Sequence, residues 1–268
     1  MDRFPITRSR LPLVMAMVLV AGCTSSTGPS VATSQSAAEE SAAPSPDVSP
    51  SATPIPGCLP ECVPPALTVP GDLPAGDYTT QHFFGEQLTV RLPEGWTSFE
   101  DSTGEFALRP LEIEGTALIF WLDVYPIVDD GTGTRVEGVE PTADGVLAWV
   151  EANPNVEIIE RTDATLGGLT AHALDIGRAA GAVNTDPDCP PEIAPCVGLF
   201  SFPQWGGGFF SEGGPFHLRL IAVDATWGGE EHVIYAMIDA ANEEAFAAIS
   251  PAAMAIIERA RLPQGVSQ

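Results

Sequence analysis

The chain has 268 residues, 44% of them apolar and 18% charged, and its 36 acidic residues outnumber its 11 basic ones to give a net charge of −25. That balance excludes a nucleic-acid binder, because too few cations are present to build a basic face. The apolar share excludes a chain disordered throughout, and the length suits one domain with flanking segments. Every basic residue is Arg, which together with the abundance of Ala, Gly and Pro reads as a compositional bias.

At the N-terminus, Arg3, Arg8 and Arg10 precede the apolar run LPLVMAMVLV at 11–20 and then Val20-Ala21-Gly22-Cys23. A basic start, a short apolar stretch and small residues before a cut site describe a secretory leader. Ten apolar residues are too few to span a bilayer, which takes about 20. Val-Ala-Gly-Cys resembles the bacterial lipobox. That resemblance implies cleavage before Cys23 and attachment of diacylglycerol to it, leaving 8 Arg against 35 Asp and Glu. Two or more acyl chains anchor stably where one does not. The expected location is therefore the cell membrane, lipid-anchored on its extracytoplasmic face.

The expected organisation is a leader over 1–22, a lipidated Cys and tether over 23–57, and a single domain over 58–268 with a Cys-bearing insert near 179–198. Residues 24–57 include 25 Ser, Thr, Pro or Ala and no aromatic, so no core forms there. They read as a disordered spacer with a reach of about 30 Å, or as an O-glycosylated stalk.

Within the domain, Thr79–Phe84 and Leu88–Leu92 read as strands joined at Gly85-Glu86, followed by strands at Phe106–Leu108 and Ala117–Tyr125. A loop rich in Gly and acid fills 129–140. Thr142 caps a helix whose apolar face carries Val146, Leu147 and Val150, and Pro154 lies past its end. Strands at Val156–Glu160 and Leu169–Ile176 flank Gly167-Gly168, and strands at Phe216–Ala225 and His232–Ile238 flank Gly228-Gly229. A final helix runs over Glu243–Arg261, where Pro251 predicts a kink or a split. Hairpins plus two helices imply an α+β fold, an antiparallel β-sheet with flanking helices.

The segment Leu88-Thr-Val-Arg-Leu-Pro-Glu-Gly-Trp96 resembles the strand and Pro-x-Gly-Trp turn that open PsbP-like sandwich domains. Ala148-Trp149-Val150, Asn153-Pro154 and Leu166-Gly167-Gly168-Leu169 are similar to patterns in secreted actinobacterial lipoproteins. The resemblance covers roughly 76–262. It implies a PsbP-like sandwich and a binding or accessory role, and it supplies no catalytic residue.

After Cys23 the cysteines are Cys58, Cys62, Cys189 and Cys196. An even number in an exported chain implies disulfides. The simplest pairing is Cys58–Cys62 with Cys189–Cys196; crossed pairing would staple the start of the domain to the insert. The spacings C-x3-C and C-x6-C are poor for zinc. Asn184, Asp186 and Asp188 begin like a calcium loop, but Cys189 and Pro195 stand where glycine and glutamate are needed. No metal site or cofactor is expected.

Of His82, His172, His217 and His232, none falls in a short-spaced motif; His217 and His232 are candidates to face each other across the last hairpin. Ser211 lacks the first glycine of a G-x-S-x-G elbow. The stretch 200–216 interleaves six aromatics with Gly and Pro. It reads either as a binding lip carrying Trp205, Phe209 and Phe210, or as a cover over the sheet, and the rarity of large exposed apolar patches favours the cover. The leading functional reading is a membrane-anchored, non-catalytic binding or accessory module with a protein or small-molecule partner. An exported hydrolase with a non-local site and an envelope structural protein are the alternatives.

Overall fold

The structure is a computed structural model that describes residues 71–268 except Glu86, Asp129 and 202–207. The leader, the tether, Cys23, Cys58, Cys62 and Trp205 lie outside the described residues.

Eight strands form one antiparallel sheet: β1 (Gly71–Leu73), β4 (Trp96–Asp101), β5 (Glu105–Pro110), β6 (Thr116–Leu122), β13 (Glu230–Ala240), β12 (His217–Trp227), β9 (Leu169–Arg178) and β8 (Val156–Leu166), in that spatial order. Helices α1 (Ala143–Ala152) and α2 (Glu243–Arg259) cover its opposite faces. Strand alternation divides the core in two. Leu118, Phe120, Ile221, Ile234 and Ile238 turn toward Phe246, Ile249 and Ile256 of α2. Ile119, Trp121, Leu220, Tyr235 and Met237 turn toward Val146, Leu147 and Val150 of α1. The fold is thus the expected α+β sandwich.

A two-stranded sheet of β2 (Gly76–Thr79) and β3 (Thr89–Leu92) adds to the α2 face. The expected strand at 79–84 ends at Thr79 and gives way to a short 3-10 turn at Phe83–Gly85. The cause is Asp101, whose carboxylate accepts the N–H groups of Gln81, His82 and Phe83 at 2.5, 3.2 and 3.0 Å. This turn sends Phe83 and Phe84 inward, their rings edge to face at 5.0 Å.

The expected strand at 117–125 also divides. β6 stops at Leu122, Asp123 takes a left-handed φ of 54°, and Tyr125–Pro126 continues as β7 in a different sheet. β7 pairs with β10 (Cys196–Ser201), which pairs with β11 (Phe210–Gly213). This small sheet lies over the α1 face of the main one.

Helix α2 runs continuously through Pro251, against the expected split. The carbonyl it deprives of a partner is that of Ala247, one turn earlier, itself an exposed residue. The cost of about 3 kcal/mol is set against burial of Phe246, Ile249, Ala253, Ile256 and Ile257, each large apolar side chain contributing about 1.5–3 kcal/mol.

Candidate functional site

The break after β6 is what builds the site. It carries the chain from the main sheet to β7, and β7 holds β10 and β11 over Trp121. The Trp121 ring meets Phe210 at 5.0 Å and Phe200 at 6.0 Å, both edge to face, and Phe200 meets Trp149 of α1 at 6.2 Å. Phe200, Phe210 and Phe216 are buried and Phe209 is partly so. The described aromatics of 200–216 therefore act as a cover. The glycines serve close packing. A Cβ at Gly198 would sit 3.0 Å from Ile127 and 3.1 Å from the Phe209 ring, and one at Gly213 would sit 2.7 Å from Cys196 Sγ.

Cys189 and Cys196 are joined, with Cα atoms 5.7 Å apart. The polar residues before them tie the insert together. Asn184 Oδ1 accepts from Cys196 N–H at 2.7 Å, and Asp186 accepts from Asp188 N–H at 2.9 Å and from the Ser211 hydroxyl at 2.5 Å. Ser211 thus hydrogen-bonds a structural carboxylate. Among the described residues no group of three or more His, Cys, Asp or Glu is arranged to hold a metal ion.

Beside the cover, between the loop after β7 and the end of α1, lies a cleft of about 210 Å³. Ile127, Val128 and Val136 form one wall, and Trp149, Asn153 and Pro154 the other. The loop is self-supporting: Val128 N–H donates to Thr134 O at 2.9 Å and Val136 N–H to Pro126 O at 3.0 Å. At its tip Asp130 accepts from the Thr132 hydroxyl at 2.6 Å and from its N–H at 2.9 Å, and these bonds hold the Asp130 carboxyl below its ordinary pKa. Among the described residues the cleft lining carries no titratable side chain.

The interior on the α1 face of the sheet carries unmet polar atoms. Tyr235 is fully buried and its hydroxyl has no hydrogen-bond partner among the described residues. Burial, then the charges of Asp123 and Asp224, push its pKa upward. Asp239 on β13 is 5% exposed with Oδ1 unpartnered, and burial pushes its pKa up to about 7. Glu212 on β11 is raised well above the usual range by burial and by the charge of Asp239.

His217 and His232 do not face each other: the hairpin places His217 opposite Ala240 and His232 opposite Ala225, at its two ends. A two-residue turn at Gly228-Gly229 fixes that register, so counting outward from the glycines was the signal that would have separated them. His232 pairs with Asp123 at 2.7 Å, His172 with Asp163 at 3.3 Å, and His217 with Glu243 at 2.5 Å while stacking on Phe246. Each is tied to a carboxylate of a neighbouring element. The Glu212–Asp239 pair was missed, because its two carboxyls stand on strands of different sheets.

No protein-family model matches the sequence, and no curated protein matches it either. Among solved structures the chain is similar to LpqN of Mycobacterium tuberculosis, described as involved in cell envelope biogenesis, with 13% identity, 71% of this chain and 86% of that one covered, and a TM-score of 0.40. It is also similar to the cyanobacterial PsbP of Synechocystis sp. PCC 6803, with 11% identity, 73% and 97% covered, and a TM-score of 0.38. A third is the Ran-binding protein Mog1p of Saccharomyces cerevisiae, with 11% identity, 69% and 87% covered, and a TM-score of 0.33. These are distant likenesses, and nothing about the chemistry of this chain follows from them.

Proposed function

We propose that this chain is a membrane-anchored extracytoplasmic lipoprotein whose folded domain is a non-catalytic binding module. Val20-Ala21-Gly22-Cys23 and the tether that follows support the anchor. The observation that carries the binding role is the cleft beside α1: apolar walls, an indole face and no titratable group in the lining. Such a surface holds a molecule by burying it and offers nothing to move a proton or attack a bond.

Two measurements test the reading. Cys23→Ser is expected to release the protein from membranes or block its processing; unchanged detergent partitioning of that variant sinks the anchor. For the cleft, the chain from residue 23 onward, made without its leader so that no lipid is attached, is titrated with ethylbenzene and followed by amide and indole NMR signals. Saturable shifts at Val128, Val136 and Trp149 are expected, and their absence removes the cleft as a binding site.

A further inference from the structure

The cleft lies at the C-terminal end of α1: Trp149 and Ala152 belong to the last turn, Asn153 caps it and Pro154 follows. Aligned peptide dipoles make that end the negative pole of the helix. Lys or Arg often meets this pole in other helices, but the last turn of α1 holds no basic residue. Donors are short there as well. Pro154 has no N–H to give Val150 O, so the Asn153 N–H turns to it at 3.1 Å and leaves the Trp149 carbonyl without its helical partner.

Side chains add the same sign. The stretch 127–154 supplies both walls of the cleft and contains six Asp or Glu against one Arg. That residue, Arg135, lies over the Tyr125 ring, 5.7 Å from its centre. Arg161 and Arg178 of the adjoining strands do not reverse the balance, and Arg161 is paired with Glu151 at 2.7 Å. Asp130 is held ionised by its two bonds from Thr132, and exposed Glu137 directly follows Val136 of the wall. Neighbouring Cα atoms are about 3.8 Å apart. The Glu137 charge therefore acts on the cleft from well inside the screening length of roughly 8 Å at physiological salt.

Inside the cleft a charge has no place. Among the described residues the lining has no titratable side chain, so an ion placed there loses water and gains no partner. Trp149 gives a flat apolar wall, backed by Phe200 at 6.2 Å. The volume of about 210 Å³ lies below the roughly 300–1,000 Å³ of pockets for drug-sized molecules and suits a single ring. The fitting molecule has two ends, an apolar one for the walls and a positive one for the mouth.

We infer that the cleft takes a small arylalkyl amine, its ring against Trp149 and its ammonium at the mouth, between the C-terminal end of α1 and the loop carboxylates Asp130 and Glu137. This rests on the binding-module reading and names the ligand chemistry of the same site.

The test compares 2-phenylethylamine, 2-phenylethanol and 3-phenylpropionate, which share a ring and a two-carbon arm and end in an ammonium, a neutral hydroxyl or a carboxylate. Each is titrated at pH 7 into the unlipidated chain from residue 23 onward and followed by the Val128 and Val136 amide signals and the Trp149 indole signal. The amine is expected to bind about two- to fivefold tighter than the alcohol, the range a helix pole supports at an exposed site. The carboxylate is expected to bind more weakly than the alcohol. Raising NaCl from about 0.01 M to about 1 M shortens the screening length from about 30 Å to about 3 Å and should erase most of the preference. Asp130→Asn combined with Glu137→Gln keeps the acceptor for Thr132 and removes both charges, so the amine preference should fall about twofold. Equal binding of the three probes, or tighter binding of the alcohol or the carboxylate, overturns the inference and leaves the apolar cleft to its ethylbenzene titration. So does an amine preference that salt or the double substitution leaves unchanged. Should the double variant not fold, the salt series decides alone. Failure of all three probes and of ethylbenzene overturns the binding-module reading with it.

Discussion

On the α2 face of the sheet, Asp175 accepts two N–H bonds from Arg219, at 2.6 and 2.7 Å, and both side chains are largely buried. Phe246 lies beneath the guanidinium, 5.5 Å from it, and the Asp175 bonds raise the Arg219 pKa against the effect of burial. On the α1 face, Asp239 meets a second carboxyl, Glu212, and keeps an oxygen without a partner among the described residues. Tyr235 and Asn153 carry further unmet polar atoms on that side. The α2 face has unmet atoms too, His217 Nε2 and Ser250 Oγ among the described residues, so the contrast lies in the carboxyls. On one face a buried carboxylate closes on a guanidinium, and on the other two carboxyls stand against each other.

The largest effect is expected from breaking the paired side. Arg219→Met leaves the buried Asp175 carboxylate with only His217 Nε2, 3.7 Å away, beside it; breaking a buried pair costs about 3–5 kcal/mol where it has been measured in other proteins. Urea unfolding at pH 7 reads this directly. A loss below about 1 kcal/mol means that water reaches Asp175 and that the two faces differ less than their geometry implies.

The unpaired side answers to pH. In the unfolded chain Asp239 loses its proton near pH 4. In the folded protein, burial keeps the proton until about pH 7. Between those values the folded state binds more protons than the unfolded one, so stability falls as pH rises through the window and levels off above it. Asp239→Asn removes that part of the slope. The variant is expected to gain about 2–4 kcal/mol on the wild type between pH 4 and pH 8, a range set by about 1.4 kcal/mol per pKa unit. Parallel stability–pH curves for the two proteins would show that Asp239 is solvated after all.

How much of this was legible in the sequence depends on the range of the interaction. The hairpin at Gly228-Gly229 and the helix after Thr142 were legible because turn residues, alternation and caps are local signals. β4 was not. Its Thr97 and Ser98 are polar yet buried, and β5 supplies the pairing that holds them in a strand. β8 continues past Glu160 through charged residues because β9 pairs with it along its whole length at the sheet edge. The site was harder still. Asp239 and Glu212 lie 27 residues apart on different sheets, and only stacking of the small sheet on the large one brings them together.

The smallest expected effect compares the helices that cover the two faces. Each begins with a side-chain cap: Thr142 Oγ1 accepts from Gly145 N–H at 3.1 Å on α1, and Asn242 Oδ1 from Ala245 N–H at 3.0 Å on α2. α1 has a second acceptor, since Asp224 Oδ1 takes the Ala143 N–H at 2.8 Å from across the fold. Each substitution leaves one N–H unmet, and Asn is the stronger cap of the two. Thr142→Ala is expected to cost about 0.5 kcal/mol and Asn242→Ala about 1 kcal/mol, both within the range for lost N-caps. Asn153 stands at the far end of α1, about 15 Å away at 1.5 Å per residue. Ethylbenzene affinity should then be unchanged in Thr142→Ala. A threefold loss of affinity in that variant would mean that fraying at one end of α1 reaches the cleft at the other, and that the α1 face is held less rigidly than the α2 face.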